Sequence, residues 1–492
     1  MGHLTSRDAY KNLEDRINWF TQGAPASETL TKILEVLFTE KEAKWVARLP
    51  IRPFTLKKAA QLWGTSEAKA EKLLDHLCEK GLLVDSYDRG VRKFVLPPPM
   101  IGFFEFSLMR TRGDIDQKYL SELFYQYINV EEDFIKELFL GMDTKLGRVF
   151  VNEPVLITEK TNHILDYERA THIIEEADFI GVGTCFCRHK NYHLGIPCRQ
   201  NAPMETCLTF GNVARSLSEH GGYTRPIDKS EAKEILEMCY GYNLVQMGEN
   251  VREYPAFMCN CCGCCCEALE TVRRFSPMQP IATTNYIPKI TPNDCVSCGK
   301  CEKVCPILAI SMQENNPAAP VSPEEKPITI RDMEPEAATR ACEAGAAAAG
   351  AAAAGAAVAA AGVAGVAASG ASGIPAKKRR PVIDESICLG CGVCARNCPK
   401  KAISLQRRPI EVITPVNSTH RFVLQAIEKG TLQNLIFDNQ AFANHRAMAA
   451  VFGTILKLPP LKQALASKQF KSVYLDHLLS AQNARKKKEL SH

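Results

Sequence analysis

Two runs of cysteine share one spacing. Cys295, Cys298, Cys301 and Cys305 follow C-x2-C-x2-C-x3-C with Pro306 directly after, and Cys388, Cys391, Cys394 and Cys398 repeat the pattern ahead of Pro399. Thiolates so close together can wrap a loop around one inorganic centre, and they are soft ligands suited to iron–sulfur clusters, zinc or copper(I). Ten more cysteines lie upstream. Cys185, Cys187, Cys198 and Cys207 form one group, while Cys259, Cys261, Cys262, Cys264, Cys265 and Cys266 crowd another into eight residues. Packing alone does not explain the crowded group, because adjacent side chains cannot all face inward. Crowded thiolates also repel one another and oxidise readily unless a metal neutralises them. Cys78, Cys239 and Cys342 stand apart and read as ordinary residues.

The flanks repeat along with the cysteines: Cys305-Pro306-Ile307-Leu308-Ala309-Ile310 against Cys398-Pro399-Lys400-Lys401-Ala402-Ile403. Gly299, Gly390 and Gly392 leave room for backbone amides to approach sulfur. Over about residues 286–406 the chain thus resembles the bacterial two-[4Fe–4S] ferredoxins. In that family the fourth cysteine of each run ligates the other cluster. The resemblance therefore implies one cluster on Cys295, Cys298, Cys301 and Cys398, and a second on Cys388, Cys391, Cys394 and Cys305. Zinc ribbons also use C-x2-C units, but a ribbon does not need the whole run followed by proline, twice. The departure from the family is a long insertion, residues 313–380, between the halves. It begins Pro-rich, passes through an Ala/Gly run over residues 344–371, and ends in Lys377, Lys378, Arg379 and Arg380. A single membrane crossing there would put the halves on opposite faces and forbid shared clusters, so a returning linker is expected.

With two such clusters downstream, further iron–sulfur ligation is the expected use of the ten middle cysteines. A zinc or copper store, a redox-active thiol set and lipidation are the alternatives. Their layout is similar to that of poorly characterised 4Fe–4S proteins of anaerobic bacteria and archaea. Adjacent and C-x-C pairs fit a regular cube poorly, so their grouping, and whether one centre is not a cube, stays open. Arg188, His189 and His193 either tune such a site by charge or hydrogen bonds, or are ordinary loop residues.

Composition narrows the classes. A length of 492 residues suggests about three domains, and an apolar fraction of 46% excludes wholesale disorder. The net charge of +5 sets up no global field for nucleic acid or membrane. The cysteines are bunched rather than spread and no apolar segment opens the chain, so metal sites are expected in place of disulfides and an export signal is not. No phosphate-binding loop, dinucleotide fingerprint or H-E-x-x-H motif is present in the sequence.

The elements that must position these residues follow from periodicity and caps. After a lead at residues 1–25, a winged-helix-like and helical module is expected at 26–152. Its helices cover residues 30–46, 55–63 and, capped by Ser66, 67–80, followed by a hairpin turning at Asp88-Arg89-Gly90. The third helix sets Lys69, Lys72 and Lys80 against Glu67, Glu71, Asp75 and Glu79, a poor match to DNA phosphates. A Cys-rich α/β domain is expected at 153–285. There Asp166 would cap a helix through Glu176, a buried strand at 179–183 would deliver Cys185, and Asp228 with Glu231 would box a helix through Cys239. The ferredoxin domain takes 286–406, and helices fill 407–492. The class is α+β, multidomain.

The expected function is electron transfer through two [4Fe–4S] clusters, serving an anaerobic redox system in the cytoplasm. The expected partner is a redox protein, with no membrane span and no nucleic acid; a homodimer or a complex subunit are both open. Two other readings stay open: a redox-sensing transcription regulator using the N-terminal module, and an oxidoreductase with a special iron–sulfur centre on residues 259–266.

Overall fold

The computed structural model describes residues 2–155, 166–275, 278–314, 379–409 and 412–436. Most of the expected linker, with Cys342, and most of the C-terminal helical region lie outside the described residues. Contacts divide the chain into two units: residues 1–295, 299–311 and 381–492 form the larger, and residues 296–298 with 312–380 the smaller. In the smaller unit the Arg379 guanidinium donates to the Met312 carbonyl at 3.0 Å, and Cys298 is exposed. The architecture is α+β.

The N-terminal part places helices at Gly2–Ile17, Glu28–Leu37, Glu40–Val46, Leu56–Trp63 and Glu67–Glu79. The single helix expected over 30–46 is broken. Phe38 and Thr39 are extended, and Thr39 and Glu42 form a reciprocal capping box that starts a new helix. Strands β1 (Phe54–Thr55), β2 (Val84–Asp88) and β3 (Val91–Val95) form an antiparallel sheet in the order β1-β3-β2. Arg89 (φ 51°) and Gly90 (φ 77°) make the two-residue turn of that hairpin, the left-handed pair a twisted hairpin prefers.

The middle part is one six-stranded sheet. Its strands are β4 (Gly147–Val149), β5 (Ile180–Thr184), β6 (Glu205–Phe210), β7 (Arg225–Ile227), β8 (Val245–Glu249) and β9 (Phe257–Cys261). They lie in the order β4-β8-β9-β6-β5-β7, antiparallel at every pairing. The region is therefore an antiparallel sheet combined with helices. Val182, Leu208 and Met258 on one face pack against the helices Ala170–Glu176 and Lys229–Gly241 through Ile174 and Leu236. Because side chains alternate along a strand, Cys207, Cys259 and Cys261 must point to the opposite face.

Two caps differ from expectation. Asp166 sits in a short turn, Asp166–Glu168, and the helix begins only after Arg169 without a side-chain cap. Glu168 holds that turn by accepting from the Asn285 backbone and side-chain amides at 3.0 and 3.1 Å. Asp228 does accept from the Glu231 amide at 2.8 Å, but Glu231 turns to Arg225 at 2.6 Å and leaves the box half made.

Beyond the sheet, β10 (Tyr286–Ile290) pairs antiparallel with β13 (Ile403–Arg407). Strands β11 (Ile310–Glu314) and β12 (Arg379–Ile383) form a second two-stranded sheet, so both described ends of the expected linker are strand. Between these strands stand two short helices, Lys300–Val304 and Val393–Arg396. A helix at Ser418–Lys429, capped by Asn417 and stopped by Gly430, is tied to β8 by a buried Arg421–Glu249 ion pair of 2.8 Å. Among the described residues no helix is long and apolar enough to cross a membrane.

Candidate metal centres

The two C-x2-C-x2-C-x3-C runs fold alike. The residue two beyond the first cysteine has positive φ in both (Ser297 at 57°, Gly390 at 71°), as does the residue one beyond the second (Gly299 at 70°, Gly392 at 82°). The residue three beyond the fourth cysteine matches too: Leu308 at 59° and Lys401 at 50°. These left-handed residues turn backbone amides inward. The Ala309 amide donates to Cys305 Sγ at 3.2 Å, and the Ala402 amide donates to Cys398 Sγ at 3.3 Å. Such donors stabilise a thiolate and lower the electron density a bound iron feels.

Cys305 lies close enough to Cys388, Cys391 and Cys394 for its charge to push all three thiols further up, beyond the larger effect of burial. Burial above all pushes Cys388 to about 11 and Cys391 to about 12. Cys301, Cys305, Cys394 and Cys398 all share one packed cluster with Ile310 and Ile403, and Cys295 is half-buried. The donor set, the inward amides and the paired turns fit two cubane clusters.

The ten middle cysteines separate into two groups. Cys198, Cys262, Cys264 and Cys265 bring their sulfurs within 4.8 Å of one another. Cys198 lies 3.7 Å from both Cys262 and Cys264, and Cys264 lies 3.7 Å from Cys265. Four sulfurs around one ion with bonds of about 2.3 Å form a tetrahedron with edges of about 3.8 Å. In a cube each thiolate binds a different iron, so its sulfurs stand much farther apart. This group therefore fits one tetrahedral ion. A hydrogen bond from Cys265 holds the Cys262 thiol well down, aided by the Arg188 charge and opposed by burial.

The other six, Cys185, Cys187, Cys207, Cys259, Cys261 and Cys266, form a chain of neighbouring thiols that perturb one another's ionisation. It runs from Cys185 to Cys187, Cys266, Cys261, Cys259 and Cys207. β5 ends by delivering Cys185, the N-cap of the helix Phe186–His193, and Cys266 is the N-cap of Glu267–Arg274. Continuing the pairing Leu208↔Met258 by one residue puts Cys207 opposite Cys259. All six line a cavity of about 90 Å³.

Arg188, fully buried, stands between the groups. Its guanidinium donates to the Asn260 carbonyl at 3.1 Å, to Cys262 Sγ at 3.9 Å and to the Thr206 hydroxyl. His189 and His193 are engaged elsewhere. His189 Nδ1 meets the Leu108 carbonyl at 2.7 Å, and the two Nε2 atoms lie 3.1 Å apart. Behind Cys266, Glu267 pairs with buried Lys190 at 2.6 Å, and Asn129 bridges both at 2.7 and 2.8 Å.

Sequence reasoning missed Lys190, Glu267, Asn129 and Glu105. Glu105 lines the cavity, where burial pushes its carboxyl up to about 7. Its signal was available: a lone acid in the apolar stretch 100–109.

Residues 294–402 match the family model described as a 4Fe-4S dicluster domain, which spans both cysteine runs. Neither the curated proteins nor the solved structures contain a match to this chain. The chain is an iron–sulfur protein by that match and by its clustered thiols.

Proposed function

We propose that this protein is an electron carrier that holds two [4Fe–4S] clusters in its dicluster domain and a single tetrahedral metal ion at the Cys198 group. The supporting observation is the family match over two runs with backbone donors to Cys305 and Cys398 at equivalent places. Cys295, Cys298, Cys301 and Cys398 would hold one cluster, and Cys388, Cys391, Cys394 and Cys305 the other. Bound there, the clusters supply one-electron redox chemistry at potentials set by burial and hydrogen bonds to sulfur.

The chain's own residues do the rest. Gly263, within the crowded cysteine segment, abuts Pro306, the residue after Cys305. Arg273 donates to the Pro306 carbonyl at 3.2 Å and to the Gly263 carbonyl, which clamps the middle thiols against the dicluster domain. That contact favours a wire from one to the other. Every described cysteine is a free thiol, which suits a reducing compartment such as the cytoplasm.

We read residues 26–152 as a docking module for a redox partner and not as a DNA reader. Several of its cations are already paired: Lys80 on Glu42 at 2.7 Å, Arg92 on Asp85 and Asp75 at 2.8 and 2.7 Å, and Lys93 on Asp88 at 2.6 Å. The hairpin is also tied down, since the Asp85 amide donates to Ser216 Oγ at 3.0 Å. Anaerobic purification followed by iron and acid-labile sulfide counts tests the reading. At least about eight of each per chain is expected; zinc without sulfide would refute it.

A further inference from the structure

Strand alternation and two helix starts bring six thiols to one largely apolar cavity, which Cys262 of the tetrahedral group also lines. β6 contributes Cys207 and β9 contributes Cys259 and Cys261, while Cys185 and Cys266 sit at the N-termini of eight-residue helices and Cys187 lies in the first turn of the former helix. Helix N-termini favour thiolates over thiols. Met100, Met109 and Phe257 supply apolar wall, which suits a space without bulk water. The volume of about 90 Å³ is several times the roughly 10–15 Å³ that one water needs.

A single tetrahedral ion accepts at most four thiolates, so it would strand at least two buried thiols and leave most of this space unfilled. Arg188 adds an independent sign. It lines the cavity, is 2% exposed, and its Nε is buried without a hydrogen-bond partner. An orphaned guanidinium N–H is costly unless an anionic acceptor meets it. The wall is also strained: Ile101 holds φ 55°, ψ 47°, a left-handed conformation that β-branched residues avoid.

We propose that this cavity binds a polynuclear iron–sulfur cluster, distinct from the dicluster cubes and from the tetrahedral site, with Arg188 donating to its sulfide or thiolate sulfur. The choice of iron and sulfide rests on reading the chain as an iron–sulfur protein. The six thiols, the volume and the orphaned donor do not.

The test uses the full chain, prepared anaerobically and reconstituted with ferrous iron and sulfide. Wild type should carry clearly more than about eight irons and eight sulfides. Cys207→Ser/Cys259→Ser should lose the excess iron and sulfide together and keep about eight of each. Cys198→Ser/Cys264→Ser should lose about one metal and no sulfide. Retention of the dicluster iron serves as the fold control. Should the strand variant fail it, Cys185→Ser, at a helix start, should show the same joint loss. Arg188→Lys should keep the excess iron and shift the electron paramagnetic resonance of that cluster alone. Wild type with no excess over eight, or with an excess of zinc and no sulfide beyond about eight, overturns this proposal and leaves the dicluster reading standing. A protein with no sulfide at all overturns both.

Discussion

Substituting Gly263 with alanine probes the contact that joins the middle thiols to the dicluster domain. Gly263 lies outside the left-handed region, so alanine brings no backbone strain and the effect is steric alone. A Cβ at this position would stand 2.6 Å from the Pro306 carbonyl oxygen, 3.0 Å from its Cα and 3.2 Å from its carbonyl carbon. All three are backbone atoms, so no flexible side chain can swing aside. Reaching an ordinary contact of 3.4 Å requires roughly 0.8 Å of displacement. Arg273 resists it, because it donates to the carbonyls on both sides of the contact. Inserting a methyl into such a contact costs about 1–3 kcal/mol. The movement should also disturb the 3.2 Å hydrogen bond from Ala309 to Cys305 Sγ, and with it the potential of the cluster that Cys305 would ligate. Denaturant unfolding of the loaded protein reads the first effect, as a lower midpoint with an unchanged slope. A redox titration followed by electron paramagnetic resonance reads the second, as a shift in one cluster and not the other. Stability within about 0.5 kcal/mol of wild type together with unchanged spectra would refute the contact as drawn.

Lys190→Met should cost about 3–5 kcal/mol by leaving the Glu267 carboxylate buried and unpaired, and adding Glu267→Leu should recover most of it; denaturation of both variants measures the difference. At Asp85, hydrogen bonds involving Ser216 and Arg92 outweigh burial and hold the carboxyl below its ordinary 3.8. Asp85→Asn should therefore destabilise by about 1.5–3 kcal/mol at neutral pH. The depressed value makes that advantage present above about pH 4, and it should vanish as pH falls through the lower folded value, as midpoints at several pH values would record. Because burial holds Cys388 and Cys391 at about 11 and 12, iron binding there must release protons. Uptake during reconstitution should weaken steadily as pH is lowered. Cobalt in the Cys198 group should give the absorption of a tetrahedral thiolate site, lost with about one metal in Cys264→Ser.

Spacing made the dicluster domain legible because its ligands are local. Three of the four cysteines in each run stand on a single short stretch of chain, and the whole run repeats. Hairpins and caps such as Arg89-Gly90 and Ser66 were legible for the same reason: each depends on a few adjacent residues. Where a residue outside the capping pattern intervened, local reading failed. Asp166 lost its cap to a turn held by Asn285, and Glu231 left Asp228 for Arg225.

The middle cysteines mark the boundary most clearly. Their types and crowding announced metal chemistry, but not how they divide. Cys261 and Cys262 are neighbours in sequence and belong to different groups, because one ends a strand whose alternate side chains face the cavity and the next turns toward Cys198. Cys185 and Cys266 are far apart in sequence and meet at one cavity, because two helices start there. The order of residues by itself determined which side chains could bind metal. The antiparallel pairing of β5, β6 and β9 decided which of them stand together, since alternation and register act on three-dimensional neighbours that spacing along the chain does not encode.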